Sequence, residues 1–142
     1  MNPFWRVAHK LYGSRGGLSR IFEIISIIIC GNAISAKARI GQNTVFHHRG
    51  IGCVVHDNAV IGKNYHIFQN VTIGSKWPNG ICDGTAPIIG DNVMIGAGAV
   101  IIGDITIGDN VLIGANAVVL IDIPDDSIAV GVPARIIERK QK

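Results

Sequence analysis

Large apolar residues recur at every sixth position along most of the chain. Ile34, Ile40 and Phe46 begin the series, Val55, Ile61, Ile67 and Ile73 resume it, and Ile89, Ile95, Ile101, Ile107, Ile113 and Val119 run unbroken. A longer repeat contains this one: Ile89-Gly90-Asp91-Asn92-Val93 returns 18 residues later as Ile107-Gly108-Asp109-Asn110-Val111. Period six places these residues on no common face of a 3.6-residue turn, which excludes helices here. The fifth residue of each hexad is mostly small or β-branched, with Tyr65 the bulky exception. The fourth is asparagine at Asn43, Asn58, Asn64, Asn70, Asn92, Asn110 and Asn116. Asparagine and glycine tolerate positive φ, so the fourth position predicts a tight corner. Three short strands per 18 residues, each entered through a corner, describe a triangular prism. Its coils stack at about 4.8 Å and its first-position side chains fill the axis.

The expected fold is therefore all-β, a parallel β-helix of hexapeptide repeats over residues 31–137. A short helical segment, residues 1–30, precedes it, with helices over 3–12 and 17–30 separated by Gly13-Ser14-Arg15-Gly16-Gly17. The isoleucines at 24, 25, 27, 28 and 29 suit a helix packed on the prism or on another subunit, or an interfacial contact of residues 21–30 with a membrane surface. Residues 138–142 form a polar tail, frayed or in contact with a phosphate.

Composition supports strands: isoleucine occurs 26 times and leucine four times, and β-branching stiffens χ1. With 48% hydrophobic residues the chain has material for a core rather than for disorder. A formal net charge of +3, with no aromatic interleaving of the basic residues, gives no reason to expect nucleic acid. Three cysteines without a CxxC fit a reducing compartment, and the longest apolar stretch, residues 21–30, falls short of the ~20 residues of a membrane span. A cytoplasmic location is expected.

The repeat breaks twice. Phe46 to Val55 is nine residues rather than six, and the extra segment contains His47-His48-Arg49-Gly50; Ile73 to Ile89 is sixteen, and the extra segment, 74–88, contains Trp77 and Pro78. Loops that leave a rigid scaffold are where chemistry concentrates. Five histidines are present, and no cysteine or carboxylate stands at ligand spacing around them, so no metal centre is expected. His9 reads as structural, and His56 and His66 as surface residues. His47 and His48 open a loop, and His48 is favoured as the catalytic base. Counting two residues on from Phe46, Ile67, Ile95 and Ile113 predicts a column of His48, Gln69, Ala97 and Ala115 on successive coils. A thin ligand arm lying along the small residues would present its reactive end to His48; small corners also suit tight turns without any ligand. A neutral imidazole can take a hydroxyl proton near pH 7, and amides of Gly50 to Gly52 are candidate oxyanion donors. Cys53, flanked by valine at the resumption of a strand, reads as packing rather than as a nucleophile.

The string His47-His48-Arg49-Gly50-Ile51-Gly52-Cys53-Val54-Val55-His56, followed by Ala59-Val60-Ile61-Gly62, Gln69-Asn70-Val71-Thr72-Ile73-Gly74, Ile95-Gly96-Ala97-Gly98-Ala99 and Gly131-Val132-Pro133-Ala134-Arg135, resembles the serine O-acetyltransferases of the hexapeptide-repeat family. Phe4 to His9 resembles the end of that family's helical N-terminal domain, the rest of which has no counterpart in this sequence. The resemblance implies a left-handed coil, trimers with each site between neighbouring prisms, and acetyl transfer from acetyl-CoA to a hydroxyl with His48 as base. It implies that the CoA arm runs by Gln69, Gly74, Ala97 and Ala115 toward Gly131 and Arg135. Three positions depart from the family: its orienting aspartate is Ala33 here, the aspartate before its histidine is His47, and its Arg-His pair is Thr85-Ala86. His47, Arg49 and Thr85 are the candidate acceptor-binding residues. Two acceptors stay open, serine in cysteine biosynthesis and a sugar hydroxyl in surface-polysaccharide biosynthesis; a silent β-helix scaffold is the alternative from another class.

Overall fold

The computed structural model describes residues 3–12 and 16–138. Residues 13–15 of the glycine-rich linker and residues 139–142 of the polar tail lie outside the described residues. Helices α1 (Pro3–Tyr12) and α2 (Gly16–Cys30) pack together and precede the prism.

The prism has three faces. Face one stacks Ala33–Ile34, Val54–Val55, Thr72–Gly74, Val100–Ile102 and Val118–Val119 in parallel register. Face two stacks Arg39–Ile40, Val60–Ile61, Ile88–Ile89 and Thr106–Ile107. Face three stacks Val45–Phe46, His66–Ile67, Met94–Ile95, Leu112–Ile113 and Ser127–Val130, and Arg135–Glu138 closes it antiparallel. Each two-residue strand turns its first residue outward and its second inward. The inward residue is the first position of a hexad, so Ile67, Ile73, Ile95, Ile101, Ile107 and Ile113 are fully buried along the axis. The period of six thus survives as three isoleucine columns, each continued by main-chain hydrogen bonds from coil to coil.

The asparagine corners adopt the expected backbone at six of seven sites. Asn43, Asn64, Asn70, Asn92, Asn110 and Asn116 have φ between 56° and 60°. Their side chains also form a ladder that hexad position alone does not reveal. Along the corner between faces two and three, each carboxamide donates to the next: Asn43 to Asn64 (3.0 Å), Asn64 to Asn92 (2.9 Å), Asn92 to Asn110 (3.1 Å) and Asn110 to the Asp126 carboxylate (3.1 Å). Asn58 departs from the set. Its corner is closed by the Ala59 N–H donating to the His56 carbonyl, and its carboxamide donates to the Gly84 carbonyl at 2.7 Å, fastening the 74–88 loop.

Tyr65, the exception to the small fifth position, has no exposed surface, and its hydroxyl donates to the Gly90 carbonyl of the next coil. The interior accepts a phenol because its one polar atom has a partner. Burial pushes the phenol above the usual tyrosine range. A raised acid is favoured in its neutral form by the fold, so its stabilisation is complete below pH 10.0, the ordinary tyrosine value, and declines as pH rises beyond it. Tyr65→Phe should cost about 1–3 kcal/mol at neutral pH through the lost donor. It should also flatten the alkaline fall in stability, which urea titrations at a series of pH values will read.

Candidate active site

The nine-residue interval resolves into a single tight turn, His47–Gly50, at the edge where face three passes to face one. His48 (φ 51°, ψ 34°) and Arg49 (φ 60°, ψ 16°) are both left-handed. That conformation costs a residue with a Cβ roughly 1–2 kcal/mol. Two in succession persist only where their surroundings fix them, and such strain gathers at functional sites.

The surroundings here are the junction between α2 and the first strand. Asn32, 3% exposed, donates from Nδ2 to the Arg49 carbonyl at 3.0 Å, and its Oδ1 accepts from the Ser26 hydroxyl of α2 at 2.8 Å. The Gly31 carbonyl accepts the Gly52 N–H at 2.7 Å. The C-terminal end of the turn and the residues that leave it are thereby tied to one dipeptide. Ala33, where the resemblance looks for an orienting carboxylate, stands exposed in the first strand with only a methyl group to offer. Its neighbour Asn32 is not among the residues that the sequence pattern singles out; the available signal is a lone polar residue at the end of an isoleucine-rich helix.

The two histidines part company. His48 and Arg49 have exposed side chains. His47 folds back on the next coil: its ring stacks on Phe68 with centroids 4.4 Å apart, and its Nε2 lies 3.0 Å from Nδ1 of His66. His66 is exposed as expected, though paired. His56 is half-buried, with Nε2 4.0 Å from the Cys82 sulfur. His9 donates from Nδ1 to the Ala36 carbonyl at 2.7 Å and stacks on Trp5.

Main-chain register corrects the expected column. The Asn70 N–H donates to Ile51, the Gly98 N–H to Gln69 and the Asn116 N–H to Ala97. The corner stack is therefore Ile51, Gln69, Ala97 and Ala115. The three extra residues are extruded before the corner resumes, so His48 stands beside the head of the column rather than in it. Val130 covers Gly114, and Arg135 pairs with Val130, which sets Gly131 and Arg135 at the far end of this same edge. Within the column, Gln69 Oε1 is buried and has no hydrogen-bond partner among the described residues. Two of the three amides expected to face an oxyanion are already used: Ile51 N–H donates to the His48 carbonyl and Gly52 N–H to the Gly31 carbonyl. Cys53 is fully buried, its thiol donates to the Phe68 carbonyl at 3.2 Å, and burial pushes its pKa up, all of which suit packing.

Thr85 belongs to the loop between Gly74 and Ile88, which leaves face one at its opposite edge, toward face two. Its N–H and hydroxyl both donate to Asp83 Oδ1, at 3.0 and 2.8 Å, and these bonds hold the Asp83 carboxyl below its ordinary range. One prism thus separates Thr85 from His48 by the width of a face. Two clefts of the chain, about 670 Å³ between α1 and residues 40–45 and about 350 Å³ around Arg20, Lys37 and Asp57, include neither His48 nor the column.

The family model described as bacterial transferase hexapeptide (six repeats) matches residues 86–120. Residues 86–120 thus carry the repeat of the hexapeptide transferases, and the chain folds as the left-handed parallel β-helix of its structural neighbours. Within that class it is similar to serine acetyltransferases. It is 41% identical over 136 residues to the serine acetyltransferase of Synechococcus elongatus, covering 94% of this chain and 54% of that protein. A soybean serine acetyltransferase complexed with serine shares 41% identity and a TM-score of 0.86 over 94% of this chain and 54% of that one. A serine acetyltransferase complex with CoA gives 36% and 0.83 over 94% and 54%. The chain spans about half the length of the relatives it matches.

If Asn32 holds the left-handed turn, Asn32→Asp, which keeps the shape and removes the Nδ2 donor, should cost about 1–3 kcal/mol. Amide exchange at Ile51 and Gly52 should quicken relative to the rest of face one, as hydrogen-exchange mass spectrometry will read.

Proposed function

We propose that the protein is an acetyl-CoA-dependent serine O-acetyltransferase with His48 as its general base. The observation that carries this is the exposed imidazole on a clamped, left-handed turn, set at the head of a corner of small residues. The relatives' complexes with serine and with CoA support the two substrates. The CoA arm runs along Gln69, Ala97 and Ala115, with Gly131 and Arg135 at the nucleotide end; Gly74 ends its strand at the opposite edge of face one and so meets the arm only across a trimer interface. An amide N–H of that arm would satisfy Gln69 Oε1, which the protein leaves without a partner.

In the reaction, His48 takes the proton of the acceptor hydroxyl as its oxygen attacks the thioester carbonyl. The C–S bond then breaks, and the departing sulfur receives the proton from the imidazolium. No acyl-enzyme is needed. Arg49 is exposed beside His48 and suits a carboxylate. Asp83, kept ionised by Thr85, supplies an anionic partner for an ammonium, a role that the sequence alone does not single out. These two groups leave opposite edges of face one, and the 74–88 loop carries Trp77 and Ile81 at 65% and 71% exposure. Both facts support a homotrimer in which one protomer's loop completes the next protomer's site and excludes water. Cys30, Cys53 and Cys82 are all free thiols, which fits the cytoplasm.

Thiol release from acetyl-CoA, followed with serine and with nucleotide- or lipid-linked sugars as acceptors, tests the activity and the acceptor together. Serine should give turnover; release with sugars alone would replace serine by a glycan hydroxyl, and release with none would remove the enzyme reading. His48→Ala should lower turnover by roughly 10²–10⁴-fold while calorimetry still detects acetyl-CoA binding. Ala97→Trp or Ala115→Trp should instead abolish that binding with the circular dichroism unchanged, because a corner side chain points away from the axis.

A further inference from the structure

Helix α2 is inside out. Its protein-facing side carries Ser19 and Ser26, each 3% exposed, together with Cys30 and the half-buried Glu23, whose carboxylate accepts the Ala36 N–H at 2.6 Å. The opposite side is a stripe of Ile21, Ile24 and Ile28, at 51%, 49% and 77% exposure, spaced three and four apart and flanked by Ile27 and Ile29 at 50% and 58%. Of the contacts expected for the isoleucine run, the protomer's own prism is therefore excluded for these five, which leaves another subunit or a membrane surface: the helix docks through its polar face and turns its apolar face outward. Its 15 residues are about 22 Å long, and among the described residues no helix is long and apolar enough to cross a membrane.

Charge distinguishes the possible occupants. Residues 1–30 hold Arg6, Lys10, Arg15 and Arg20 against Glu23, so the whole formal charge of +3 lies in the segment bearing the stripe. Residues 31–142 hold nine basic and nine acidic residues. Arg6, Lys10 and Arg20 are exposed, and Arg20 stands one turn before Ile24 at the margin of the stripe. A second copy seated on this face would bring like charges together, whereas an anionic lipid surface meets both the apolar stripe and the excess of positive charge.

We propose that the α2 stripe rests in the headgroup region of an anionic membrane, holding the prism at the surface without spanning the bilayer. This is independent of the acetyl-transfer reading. Flotation of the full chain with vesicles tests it, using phosphatidylcholine alone and phosphatidylcholine mixed with phosphatidylglycerol. The protein should float with the mixed vesicles, bind the neutral ones less and be partly released by salt. Ile24→Ser combined with Ile28→Ser should weaken binding by roughly tenfold or more with the melting temperature unchanged. Lys10→Glu combined with Arg20→Glu should abolish the preference for phosphatidylglycerol. Absence of binding to mixed vesicles, or equal binding by the serine variant, overturns the proposal. So does a serine variant that keeps its vesicle binding but sediments as a smaller species, which would assign the stripe to contact between copies.

Discussion

Everything in this molecule depends on the stacking of one coil on the next. A two-residue strand has almost no stability alone, because it orders its backbone for two hydrogen bonds. It persists here because the residue above and the residue below present the same inward isoleucine and the same main-chain pattern. The corner between faces two and three repeats this logic in polar form, with each asparagine carboxamide bonded to the next and the last to Asp126. Rigidity along the axis is what allows the chain to hold His48 and Arg49 in a strained conformation at one edge. The strain is carried by a buried clamp, Asn32 and Ser26, that joins the helices to the prism.

Period six makes the prism legible in the amino-acid order, since it specifies both which residues face the axis and where the chain turns. The boundaries of the two interruptions are equally legible, because an interruption is visible against a strict repeat. Register inside an interruption is not. Counting residues from Phe46 places His48 on the column, but the coil resumes at Ile51, and only the hydrogen bonds of Asn70, Gly98 and Asn116 reveal that shift. Tyr65 shows the converse limit: a bulky residue breaks the hexad rule yet fits, because a carbonyl one coil away accepts its hydroxyl.

The candidate site is legible in its histidine and its small corners, and illegible in its support. Asn32 acts on the turn through a main-chain carbonyl, a contact that no spacing rule anticipates. Asp83 is hidden for a related reason: its role beside Thr85 arises from the local fold of a loop with no repeat to read. Helix α2 misleads because isoleucine ordinarily signals burial. Its serines and glutamate, which read as interruptions of an apolar run, are the face that meets the protein.

The central claim is spatial: CoA lies along the Gln69–Ala97–Ala115 edge and delivers its sulfur to His48. A crystal structure of the protein with CoA bound tests it most directly. The account predicts the arm in van der Waals contact with Ala97 and Ala115, an amide N–H on Gln69 Oε1, and the sulfur next to the His48 ring beneath a neighbouring protomer's 74–88 loop. CoA seated instead in the cleft between α1 and residues 40–45, with the alanine corners bare, would contradict it.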